Sequence, residues 1–193
     1  MPSIHYITTD ILNLADIQSI IHEEMTLKLS DKTIQKIEAC RKYLDNKMDS
    51  VEKPIYGINT GFGALHNVKI SKENLTVLQE NLVKSHACGT GEEVSQSIVK
   101  LMLLFKIQSL SYGHSAAQVA TVNRLIDFYN HDIIPVIYTQ GSLGASGDLA
   151  PLAHLALPLI GEGEVWHEGN RYSGEEILDK FGWDKIVLQS KEG

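Results

Sequence analysis

The sequence predicts a single mainly helical domain with minor strands, and three observations support that class. Apolar residues recur at helical spacing over most of the 193 positions. Runs with a strand-like pattern are few and short. The composition, 43% apolar and 21% charged, suits one soluble globular unit large enough to bury a core.

Residues 10–24 carry Ile11, Leu14, Ile17, Ile20 and Ile21 at helical spacing, and residues 30–48 carry Ile34, Ile37, Tyr43 and Leu44. Ser30-Asp31 is a favourable start for the second helix, and Lys53-Pro54 closes that region. A loop follows over 55–63, with glycines at 57, 61 and 63. Helical patterns resume over 71–86, 94–112 and 116–130. The middle one is apolar almost all round (Ile98, Leu101, Met102, Leu104, Phe105, Ile107, Leu110), which predicts a buried helix. Residues 133–138 read as a short extended piece. A helix is expected over 148–160, with Pro151 tolerated in its first turn and Gly161 as its stop. Residues 164–172 suggest a small hairpin around Gly169-Asn170, and 174–181 a final short helix.

Several function classes are disfavoured. The net charge is −7 with no basic run, so nucleic acid and anionic membrane are poor partners. The apolar run Leu101-Met102-Leu103-Leu104-Phe105 lies between Lys100 and Lys106 and is too short to span a bilayer. The first residues lack a signal-peptide layout. Cys40 and Cys88 are far apart with no CxxC spacing, which argues against a disulfide framework or zinc site and fits a reducing cytoplasm. His66, His114, His131, His154 and His167 show no metal-ligand spacing, so no metal is expected and these histidines receive no role. The chain stops just after the strand-like run at 186–188, and is expected to be a piece of a longer protein.

The glycine-rich stretch 141–154 is the most informative. In Ala145-Ser146-Gly147 the Gly147 amide nitrogen can attack the Ala145 carbonyl to close a five-membered ring. Loss of one water from the ring, and of the Ser146 hydroxyl as a second, leaves an exocyclic methylene. That is an electrophile, which no ordinary side chain provides. Rival readings each fail on a required residue. Residues 141–149 lack the P-loop lysine, Gly61-Phe62-Gly63 lacks the third glycine of a dinucleotide fingerprint, and Gly144-Ala145-Ser146-Gly147-Asp148 lacks the last glycine of a nucleophile elbow. A plain turn in which Ser146 or Asp148 caps the next helix remains open. Glycines at 141, 144 and 147 permit the sharp bend, a side chain at 147 would crowd the ring, and Asp148 can support the loop by accepting backbone N–H bonds. The helix that follows would aim its positive end at the electrophile.

The stretch Gly141-Ser142-Leu143-Gly144-Ala145-Ser146-Gly147-Asp148-Leu149-Ala150-Pro151-Leu152-Ala153-His154 resembles the signature of the aromatic amino acid ammonia-lyases. Tyr56-Gly57-Ile58-Asn59-Thr60-Gly61-Phe62-Gly63 resembles a second motif of that family, and residues 79–89 a third. The resemblance spans essentially the whole chain, in order and with family spacing. It implies that Ala145, Ser146 and Gly147 cyclise to 4-methylidene-imidazol-5-one, with no external cofactor. Residues 1–193 would then be the N-terminal domain bearing that group, without the downstream long-helix bundle. The parent would be a homotetramer of chains of about five hundred residues, more than one core accommodates.

The resemblance also implies roles. Tyr56 would be the base for the substrate's β-proton. A phenol, with an ordinary pKa of about 10, needs positive potential to serve. On its residue type alone, Tyr56 would be a half-buried loop aromatic. Gly63 would let backbone approach the substrate, and Leu149 would touch its ring. Ser85-His86 resembles the histidine-specific members, because an imidazole can exchange a hydrogen bond with a substrate imidazole. The expected reaction is then non-oxidative deamination of L-histidine to urocanate and ammonia. Some tyrosine-specific members also carry Ser-His, so a tyrosine ammonia-lyase or an aminomutase stays open, as does a non-catalytic module using 141–148 as an anion site. The family's asparagine, tyrosine, arginine and glutamate from later in the chain are not within this span, so these 193 residues alone are expected to be inactive.

Overall fold

The computed structural model describes every residue except 1, 2, 51, 52, 54, 61–69, 71, 146 and 148, and describes 72 and 73 without their side chains. Strands β1 (Ile4–Ile7) and β2 (Thr26–Leu29) pair in parallel, a geometry that requires a crossover, and α1 (Leu14–His22) supplies it. Neither strand was expected. The helix starts at Leu14 rather than residue 10 because Asn13 caps it reciprocally: Asp16 N–H donates to Asn13 Oδ1 at 3.0 Å, and Asn13 N–H to Asp16 Oδ2 at 3.1 Å. Ile11 and Leu14 are consequently exposed instead of forming part of a buried stripe.

Helix α2 (Asp31–Ser50) begins as expected, with Ser30 Oγ accepting from Thr33 N–H at 3.3 Å. α3 (Lys72–His86) leads through a turn into the unexpected strand β3 (Thr90–Glu93), whose residues are all exposed. α4 (Gln96–Ser111) and α5 (Val119–Asn130) pack together as the centre of the core, with Leu103, Leu104, Ile107, Leu125 and Phe128 fully buried. α4 is not buried all round: Ile98 and Phe105 remain 51% and 49% exposed. One face of this helix meets the core while the opposite face stays open. Asn130 ties α5 to β2, accepting from Leu27 N–H at 2.8 Å and donating to Leu27 O at 3.0 Å.

The extended piece resolves into β4 (Ile134–Pro135) and β5 (Tyr138–Gln140). β5 pairs antiparallel with β3, and β4 joins β6 (Glu164–His167) and β7 (Asn170–Ser173) in a three-stranded antiparallel sheet. The β6–β7 turn is Glu168-Gly169, one residue earlier than expected. Both residues have positive φ, 50° and 75°, and His167 pairs with Asn170. The helix expected over 148–160 divides into α6 (Ala150–Ala156) and a 3-10 turn (Leu157–Ile160). Pro158 forces the change of pitch, since its ring lacks an N–H and would crowd the carbonyl four residues back. Gly161, at φ 79°, ends the turn as expected.

α7 (Gly174–Phe181) carries a capping box, with Glu176 N–H donating to Ser173 Oγ at 3.2 Å and Ser173 N–H to Glu176 Oε2 at 2.7 Å. Ser173→Ala is expected to cost about 1 kcal/mol, read as a lowered urea midpoint with an unchanged slope. Among the described residues, no helix is long and apolar enough to cross a membrane.

Candidate active site

The turn after Ile55 is pinned from beneath. Asn59 is buried, accepts from Ile55 N–H at 2.6 Å through Oδ1, and donates to Lys53 O at 3.4 Å. Gly57, at φ 70°, donates its N–H to Thr60 Oγ1 at 3.4 Å. These contacts hold the backbone while Tyr56 projects outward, 63% exposed. It is thus more exposed than the half-buried aromatic its residue type suggested.

His86 closes α3. Its Nδ1 lies 2.8 Å from Leu82 O, a carbonyl that can only accept, so Nδ1 carries the proton. In the neutral ring Nε2 then holds the lone pair. Ser85 Oγ donates to the same carbonyl at 2.9 Å, which fixes both side chains to the last helical turn.

Past His86 the chain runs against the glycine-rich loop. A Cβ on Gly141, at φ 120°, would stand 2.9 Å from Gly89 Cα and 3.2 Å from Cys88 O. Here glycine answers both a backbone conformation and a close approach of two main chains. Gly141→Ala is expected to lose about 1–3 kcal/mol, measured as a lowered thermal midpoint. Gly147 differs. It is exposed at φ 83°, and among the described residues nothing lies within 4 Å of where its Cβ would be. The backbone angle alone favours glycine there.

Tyr56, His86, Gly147 and Leu149 line one cavity of about 550 Å³, within the range typical of small-molecule sites. Three separated sequence motifs therefore meet. Ala145 is exposed on the same loop but is not part of the cavity wall. Gly63, Ser146 and Asp148 lie outside the described residues, so no structural account attaches to them or to a cap made by Ser146 or Asp148. The described N-cap of α6 is Leu149, which makes no side-chain cap bond. The helix begins three residues after Gly147.

Three wall and support residues were missed by sequence reasoning. Lys106, on α4, lines the cavity, and burial pushes its ammonium below the usual lysine range. Its signal was a cation closing the apolar run 101–105 on a helix. Glu192 also lines it, with its carboxylate accepting from Gln118 N–H and Thr121 Oγ1 at 2.8 and 2.7 Å, a pairing across about 70 residues that no local pattern reveals. His154 accepts from Gly89 N–H at 2.9 Å.

A buried ammonium opposes folding while it stays charged. Lys106→Met is expected to raise the urea midpoint at neutral pH. The sign follows from the lowered pKa: between that value and 10.5 the unfolded chain binds the extra proton, so the wild type gains stability as pH rises there. The difference between wild type and variant should narrow over the same range.

The family model described as aromatic amino acid lyase matches residues 12–193. A histidine ammonia-lyase of Legionella pneumophila (strain Paris) is 47% identical over 182 residues, covering 94% of this chain and 36% of that protein. A solved histidine ammonia-lyase from Trypanosoma cruzi superposes with a TM-score of 0.86 at 30% identity, covering 98% of this chain and 37% of that one. A solved tyrosine aminomutase from Streptomyces globisporus gives 0.88 at 30% identity, covering 100% and 35%. The chain thus spans about 36% of the length of the curated relatives it matches.

Proposed function

The chain belongs to the aromatic amino acid lyase family, and from that membership we propose that it is the N-terminal, electrophile-bearing domain of an enzyme that deaminates L-histidine to urocanate and ammonia. The observation that carries this reading is the convergence of Tyr56, His86 and Gly147 on one cavity. A ring made from Ala145, Ser146 and Gly147 is supported by the positive φ of Gly147, which a sharp bend needs, and by the absence of any described atom within 4 Å of where its Cβ would be. Once formed, 4-methylidene-imidazol-5-one supplies an electron sink for the departing amine.

The remaining chemistry falls to side chains. Removing ammonia breaks a C–N bond and a neighbouring C–H bond, and the proton taken is weakly acidic. Tyr56, held outward by its pinned turn, is the base for it. Lys106 lines the same cavity and is the cation assigned to supply the positive potential a phenolate needs. His86 Nε2, as acceptor, recognises an N–H of the substrate imidazole, which a phenyl ring cannot offer. Leu149 packs against the ring, Gly63 admits it, and Asp148 supports the loop. The parent is a cytoplasmic homotetramer that acts on a free amino acid, with no nucleic acid or membrane partner and no metal.

The histidine ammonia-lyases among the relatives support this substrate. The likeness to a tyrosine aminomutase favours a second reading in which the ring recognised is a phenol. Steady-state assay of the full-length protein on both amino acids decides between them. Urocanate formation from histidine, with tyrosine at least tenfold poorer in kcat/KM, is expected; a preference for tyrosine overturns the choice.

A further inference from the structure

His154 sits on α6, and the sequence offered no role for it. The bond from Gly89 N–H to its Nε2 joins two segments 65 residues apart. One is the turn that follows His86; the other is the helix that leaves the Gly147-Leu149 loop. A nitrogen that accepts has its lone pair in use, so the neutral ring carries its proton on Nδ1. Burial favours that neutral form by holding the imidazole below its ordinary range.

The surrounding packing is built around this bond. A Cβ on Gly89 would stand 2.9 Å from His154 Nε2 and 3.3 Å from Gln140 O. The seam continues through the pairs Thr90↔Gln140 and Glu93↔Tyr138 between β3 and β5. Tyr138 closes it from the other side, its ring meeting the His154 ring edge-on at 5.3 Å and 77°. The imidazole therefore has a fixed donor, a fixed orientation and little room to swing.

We infer that His154 is a positioning residue for the proposed deamination: as an Nδ1–H imidazole it clasps the Gly89 amide and so sets the separation between His86, where the substrate ring is read, and the 145–147 loop, where its amine reacts. The inference rests on the lyase reading for its functional half. Its geometric half stands apart from that reading. Both ends of the substrate must be held at once, and the two segments that hold them come from distant parts of the sequence. Misplacement by about 1 Å between reacting groups costs on the order of 100-fold in rate, so a single cross-link between those segments has leverage.

The test has two arms. In the 193-residue chain, ¹⁵N NMR is expected to find His154 as the Nδ1–H tautomer. His154→Leu should speed exchange of the Gly89 amide, while His154→Gln, whose Oε1 can accept the same N–H, should keep it slow. In the full-length protein, His154→Leu is expected to lower kcat on histidine roughly 10- to 100-fold with KM little changed, and His154→Gln to recover most of that loss. The intact mass should still show loss of two waters in both variants.

An Nε2–H tautomer, or Leu and Gln variants that turn over alike, overturns the inference. A Leu variant that no longer loses two waters also overturns it, because the clasp would then serve ring closure instead of substrate placement. A wild-type protein with no deaminase activity refutes the lyase reading and with it the functional half, whereas the NMR arm still decides the clasp. Should His154→Leu not fold, the wild-type tautomer and the Gln variant remain decisive.

Discussion

Replacing Ser146 with alanine in the full-length protein is expected to lower deamination of histidine by about 1,000-fold or more and to leave the intact mass without the loss of two waters. Ring closure between the Gly147 nitrogen and the Ala145 carbonyl needs no serine, but the exocyclic methylene does, since it forms only when the Ser146 hydroxyl departs. Alanine has nothing to expel. No other side chain supplies an electron sink, and an amine on an unactivated carbon leaves poorly, so covalent assistance of this kind carries much of the acceleration. The described neighbours Gly144, Ala145, Gly147 and Leu149 are all exposed, so the substitution should leave far-UV circular dichroism and the thermal midpoint unchanged. Near-wild-type turnover by Ser146→Ala would refute the self-made electrophile whatever the fate of the histidine assignment. Unaltered mass in the wild-type full-length protein would do the same.

What could be read from the sequence followed a physical line. Periodicity reports which face of a segment avoids water, and it located α2, α3, α5 and α7 to within a few residues. Glycine at the ends reports backbone angle, and Gly161 stops the helical region as its position in the sequence predicts. The strands β1 and β2 escaped because each has four residues and depends on a partner about 22 positions away, with α1 between them. β3 escaped for a different reason. Thr90-Gly91-Glu92-Glu93 has no apolar alternation, and it is a strand because glycines at 89 and 91 admit Gln140 closely. The open face of α4 was hidden too, since an all-round apolar pattern says nothing about which side finds a neighbour.

The site shows the same division. Tyr56, His86 and Gly147 stood out through motifs, and the structure brings them to one cavity. Lys106 and His154 did not stand out, because their importance lies in what they face. A lysine in an apolar run reads as a helix flank until the wall it joins is known. A histidine at the end of a motif reads as a surface residue until the amide it accepts from, 65 positions earlier, is seen.

Tyr56→Phe tests the acid–base half of the proposal. It removes one hydroxyl and nothing else, and the ring stands outward from a turn whose stability resides in Asn59 and Thr60. Substrate binding should be nearly indifferent to the change. The β-proton, by contrast, loses its acceptor. Positioned general bases contribute about 100- to 10,000-fold, so kcat on histidine should fall by that factor while KM moves little. Lys106 makes the argument sharper. If its charge sustains the phenolate, it lets activity set in at lower pH than an isolated phenol would allow. Lys106→Met should be slower at neutral pH, with the rising limb of its pH–rate profile moved to higher pH, even though the same change stabilises the fold. A substitution that strengthens the protein while weakening the reaction is the mark of a charge kept for chemistry. Equal kcat in Tyr56→Phe and wild type would move the base elsewhere in the cavity, and an unshifted pH–rate profile in Lys106→Met would remove the lysine from its support.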